Sequence, residues 1–209
     1  MVIDFWRRSV ARMTDSDRFS QQSFFQQIKE ARLRAEALVS GLTSEQLIKR
    51  PHPGKWSIAE CLLHLNATGT IVQSFMAEAI ARGKRDNTVG TGPFDVGFKG
   101  RLFVWLAEPP PRIRLIAPRR VRPPARVDDP LKLLPDFLQV QDEWERLIRE
   151  SEGLHLARLK IAPRFSAFRA RFAAAMPWML AHQRRHLWQA ENVKRQILPS
   201  ASHVSAQAG

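Results

Sequence analysis

Tyrosine is absent from this 209-residue chain, which removes a phenolic acid or nucleophile from any chemistry it performs. Cysteine occurs once, at Cys61; no intrachain disulfide can form, and a reducing cytoplasm is the expected setting. No run approaches the roughly 18 consecutive apolar residues of a membrane span. The opening MVIDFWRRSVARMTDSD lacks the apolar core and small-residue cleavage site of a secretory signal. Segments that alternate apolar and polar residues, the mark of half-buried strands, are also missing. Acidic side chains are in the minority, 20 against 33 lysines and arginines, for a net charge of +13. Such a charge draws nucleic acid, anionic membranes or acidic small molecules, the attraction falling with salt, and does not choose among them.

What is present reads as one helical domain over residues 1–198, with an arm at 1–16 and a polar tail at 199–209. An apolar share of 44% is that of an ordinary globular chain. From about Asp17 to Ser40, Phe24, Ile28, Ala31, Ala35 and Leu38 recur at helical spacing, and Gly41 ends the run. TSEQLIKR (43–50) predicts a short capped turn, and PHPGK a loop. WSIAECLLHL then sets Ser57 at an N-cap with Glu60 three residues on, the pattern of a capping box. This second long helix is expected to reach Ala81 or Arg82 and to stop at Gly83, with Cys61, His64, Ile71 and Phe75 on one stripe.

Residues 83–130 are rich in glycine, proline and arginine, and only RLFVWLAE within them suggests a helix. Proline lacks the amide donor and fixes φ, so the remainder predicts a long connection. A third long helix is expected from about Pro130 to Ser151, with Leu134, Leu138, Trp144, Leu147 and Ile148 inward. A fourth should start between Arg171 and Pro177 and end before Pro199. Four long helices without strands make an all-α four-helix bundle.

The fourth helix bears a stripe of Met179, His182, His186, Ala190, Val193 and Ile197; Gln183, Arg184, Arg185 and Lys194 are expected to solvate the rest of its surface. Side chains four apart on a helix lie one above the other, so His182 and His186 can aim ring nitrogens at one ion. His64, on the inward stripe of the second helix, can join them. The competing reading is three core imidazoles, each bonded to a carbonyl or a glutamine. Gln183 stands where a His-Glu-x-x-His protease has its glutamate, which argues against that class. His52 and His155 have no partner at ligand spacing and are expected to be exposed; His203 belongs to the tail.

KWSIAECLLHLNAT, followed far downstream by AHQRRHLWQAENV, resembles the DinB superfamily of metal-binding four-helix proteins. The matching features are the Trp56-Ser57 pair opening the second helix, His64 after it, and His182, His186, Leu187 and Gln189 in His-x-x-x-His-Leu-x-Gln order. The resemblance extends from about Phe19 to Leu198 and implies an up-up-down-down bundle with one divalent metal on His64, His182 and His186. Zinc or nickel is favoured, and iron and manganese also accept imidazole. It further implies an enzyme that activates water or a low-molecular-weight thiol, a hydrolase or a thiol S-transferase acting on a small molecule. Family bundles often pair, so a homodimer is an expected assembly.

Around the triad, Glu60 is a candidate base or support for a ligand, against its capping-box role. Gln189 can bond a ligand imidazole or substrate, Trp56 and Trp188 can wall a pocket, and Cys61 is a small hydrophobe or a soft ligand. Arg119 and Arg120, within the Arg112–Arg126 stretch, can clamp an anionic substrate or lie solvated. Two other functions stay open: a non-catalytic helical protein binding nucleic acid through that stretch, and a dimeric scaffold whose metal is structural. The lack of a glycine-rich phosphate loop or a basic motif interleaved with aromatics favours a solvated surface over an anion clamp for those arginines.

Overall fold

The computed structural model describes residues 20–91, 95–113, 116–124, 126–161 and 170–198. Ser20 accepts from the Ser23 amide to start helix α1, Gln21–Val39, and the chain leaves it through Gly41 at φ 72°, a left-handed conformation that glycine adopts without strain. A short α2, Ser44–Ile48, is closed by a Thr43–Gln46 capping box. The second long helix, α3, spans Ile58–Arg85 and opens with the Ser57–Glu60 box. Within the connection lie α4, Gly97–Ala107, and a 3-10 turn, Arg119–Val121. The last two long helices are α5, Leu133–Glu150, and α6, Phe172–Ile197. Strands β1, Lys160–Ile161, and β2, Ala170–Arg171, pair antiparallel between them.

In the bundle α1 and α3 are diagonal, each packed between α5 and α6. The cross-helix bonds fix direction. Asn66 and Gln73 of α3 donate to the carbonyls of Leu133 and Val140, so α3 and α5 run parallel. Arg34 with Glu191, and Lys194 with the Leu38 carbonyl, make α1 and α6 parallel. Gln21 at the start of α1 reaches the Ile148 carbonyl near the end of α5, so these two are antiparallel. The four-helix bundle is as expected, but its order of directions is up, down, down, up. The long connection between the second and third helices is a crossover, so the parallel neighbours in sequence are the middle pair and not the first two.

Several expected boundaries shift for packing reasons. Helix α3 runs through Gly83, where an added Cβ would lie 2.5 Å from Leu159 Cδ2; this glycine admits a neighbouring side chain and does not stop the helix. On α5 the inward residues are Leu133, Phe137, Val140, Trp144 and Leu147, with Leu134 and Leu138 half-buried beside them. On α3 Ile71 and Phe75 are half-buried. The arm at 1–16, the tail and His203 lie outside the described residues.

Among the described residues the core has two large apolar clusters and a small one beneath α4. One large cluster gathers Phe24, Ile28, Met76, Trp144, Phe172 and Met179; the other Leu38, Ile58, Leu62, Phe137, Leu187 and Val193. Between them α6 passes through His182 and His186, and α3 contributes His64. The expected solvation of the α6 surface fails at two places: Gln183 is 2% and Arg185 8% exposed. Helix α4 covers that face, with Val104 and Ala107 packed on Ala181.

Candidate metal centre

The capping box at Ser57 aligns the first turns of α3 and so places His64 across from α6. On α6 the four-residue spacing stacks His182 and His186 on the same face. The three imidazoles are buried, and one ring nitrogen from each lies within 4.8 Å of the others. The ring centroids of His186 stand 4.6 Å from those of both His64 and His182.

Backbone and side-chain acceptors set two tautomers. His64 Nδ1 lies 2.7 Å from the Val121 carbonyl, and His186 Nδ1 lies 3.1 Å from Gln189 Oε1. Both acceptors require Nδ1–H as donor, which leaves each Nε2 bare, the form that ligates metals. The Nε2 atoms of His64 and His182 are 3.2 Å apart; two ligands of a tetrahedral ion at about 2.0–2.1 Å stand about 3.3 Å apart. His182 Nδ1 is buried with no hydrogen-bond partner among the described residues, so no described acceptor holds a proton on that nitrogen.

The electrostatics keep the rings neutral. Burial, then the charges of His64 and Arg185, push His186 down to about 3 against the bond to Gln189. Burial, with His186, His64 and Arg185 adding to it, holds His182 well below the ordinary histidine value. For His64 burial lowers the value and the Val121 carbonyl opposes it. Three neutral imidazoles suit zinc, nickel or another divalent transition ion, and leave coordination positions open as catalytic sites do. The donor set therefore fits the implied metal.

Aromatic rings enclose the triad. Trp56 stacks on His186 at 5.7 Å and 24° and tilts against His64 at 5.1 Å; Trp178 stacks on His182 at 5.1 Å and 19°. Trp188, the other expected wall, is half-buried and makes no ring contact with the histidines. Trp178 was legible in principle, since it precedes His182 by four residues on the same stripe. The Val121 carbonyl was not, because a backbone acceptor from a distant loop leaves no residue signature.

Glu60 closes the capping box through the Ser57 amide at 2.8 Å and pairs with Arg50, whose Nε is 2.9 Å away. Burial alone would raise its carboxyl, but the bonds from Arg50 and Ser57 outweigh it and hold it below the usual range. Cys61 is fully buried, and burial followed by the Glu60 charge pushes its thiol up, which keeps it protonated. Among the described residues neither Cys61 nor a carboxylate joins the histidine cluster. Arg119 and Arg120 are exposed on the turn that holds Val121. His52 is exposed, whereas His155, expected to be so, is half-buried, with its ring against Gly90.

The connection is anchored over this site from several points. Val121 binds His64, Glu108 forks to Arg184, and the carbonyls of Leu106 and Ile113 accept from Arg185 at 3.2 and 2.7 Å.

The family model described as DinB superfamily matches residues 27–190. Among solved structures, YfiT from Bacillus subtilis is similar over 88% of this chain and 89% of its own, with 14% identity and a TM-score of 0.57. That protein is described as a probable metal-dependent hydrolase with an unusual four-helix bundle topology. No curated protein matches the chain.

Proposed function

Since the chain belongs to the DinB superfamily, we propose that it is a metal-dependent hydrolase of a small molecule, with His64, His182 and His186 holding one divalent ion. The observation behind this is the convergence of three neutral, buried imidazoles with two tautomers set by Val121 and Gln189. When bound, the ion would supply Lewis acidity, lowering the pKa of water or of a low-molecular-weight thiol; hydrolysis and thiol transfer are the two chemistries to screen. Zinc and nickel are the first candidates.

The chain's own residues prepare the site. Val121 and Gln189 hold His64 and His186 in the ligating tautomer, and loss of such partners commonly weakens metal affinity by about 10–100-fold. Trp56 and Trp178 keep water from the ring faces, which strengthens electrostatic interactions inside. Glu60 acts by positioning: its carboxylate is committed to Arg50 and the Ser57 amide, so it sets the start of α3 and hence His64.

Elemental analysis of the untagged protein beside His64→Ala and His182→Ala tests this. Close to one equivalent of a transition metal in wild type, lost in both variants, is expected. A wild type that stays empty after incubation with zinc and with nickel would overturn the proposal and leave the histidines as core residues.

A further inference from the structure

Arginines in this bundle are paired when they are withdrawn from solvent. Arg34 forks to Glu191, Arg184 forks to Glu108, and Arg32 pairs with Asp142. Arg185 is more deeply buried than any of these, at 8% exposure, yet no described carboxylate meets it. It donates only to the carbonyls of Leu106 and Ile113. Those are neutral dipoles and leave the positive charge uncompensated, a costly state for a buried ion. A guanidinium has five N–H groups; two are used here, and three have no acceptor among the described residues. The residue precedes His186 and follows His182 by three positions, and its charge is felt by both rings.

We propose that Arg185 is the anion subsite of the active centre: the substrate bears a carboxylate or phosphate group that docks on the free edge of this guanidinium, which places its reacting bond at the triad. The inference rests on the metal-centre reading above and names the substrate class for it. Bidentate pairing of guanidinium with an oxyanion gives both affinity and direction. Arg112, Arg119 and Arg122 are exposed on the connection that covers the same face, where they raise the local concentration of anions. A guanidinium that served only to tie two carbonyls would require no charge. The missing counter-ion is what points to a ligand.

The test is calorimetric titration of acetate and of inorganic phosphate into the full chain, metal-free and cobalt-loaded, at constant ionic strength so that general charge attraction is screened equally. One saturable anion per chain is expected in both forms, the tighter of the two identifying carboxylate or phosphate as the group. Arg185→Met should weaken it at least tenfold while still taking up cobalt, because the three ligands are untouched. Arg185→Lys retains the charge and loses the fork; it should bind several-fold more weakly than wild type, and it serves alone if the methionine variant does not fold. Wild-type affinity in these variants, or no saturable binding to wild type, would overturn the proposal. Failure of wild type to take up cobalt would sink the metal reading, and the metal-free titration would then decide Arg185 by itself.

Discussion

His186 shows what burial does to a single side chain here. In the unfolded chain it titrates near 6.5, and in the fold it is pushed down to about 3. The unfolded state therefore takes up the proton first, and native stability falls as pH drops below about 6.5. At pH 5 the 1.5-unit gap corresponds to about 2 kcal/mol lost from this group. Urea denaturation of metal-free protein at pH 7.5 and pH 5 should show at least that loss in wild type, and a smaller loss in His186→Gln. Equal curves at the two pH values would mean that the imidazole is hydrated in the native state. The histidine cluster's i,i+4 pair was readable from spacing alone as two rings on one face of a helix. Its completion by the Val121 carbonyl was not, since the acceptor comes from a turn 57 positions away from His64.

At the scale of elements, the close approach of α3 and α5 depends on Gly69. A Cβ added there would lie 2.6 Å from Val140 Cγ1, and a β-branched valine has little rotamer freedom with which to yield. Gly69→Ala gains roughly 1 kcal/mol of helix propensity and meets an overpacking cost of about 1–3 kcal/mol. A net destabilisation of up to about 2 kcal/mol is expected from chemical denaturation. In a Val140→Ala background the same change should become stabilising, and a cycle with no coupling would place the contact elsewhere. The glycine positions were visible in the sequence, but Gly83 was expected as a helix stop. Whether a glycine ends a helix or admits a neighbour depends on what packs against it, here Leu159.

For the whole molecule, the two large apolar clusters lie on either side of the triad and contain no member of it. The bundle is thus expected to fold without metal and to gain stability when metal is added. Zinc or nickel at 100 times its dissociation constant adds about 2.7 kcal/mol, which for a chain of this size raises the melting temperature by roughly 5–11 °C. Chelator should reverse that rise while the far-ultraviolet circular dichroism at 25 °C stays helical. Loss of the helical signal on chelation would instead favour the structural-metal scaffold. Among the described residues no helix is long and apolar enough to cross a membrane.

By itself the sequence determined the helix class, the capped start of α3 and the shared face of His182 and His186, because helical periodicity, capping and i,i+4 spacing are local properties written in neighbouring residues. Tertiary structure alone decided the direction order of the helices, the roles of Gly83 and Trp178, and the fate of Arg185. Arg185 reads as a solvated position in the α6 pattern, since nothing local to α6 announces that the connection will fold back over it. Such burial is a property of two segments meeting, and the carbonyls of Leu106 and Ile113 that receive this arginine exist as partners only in the folded chain.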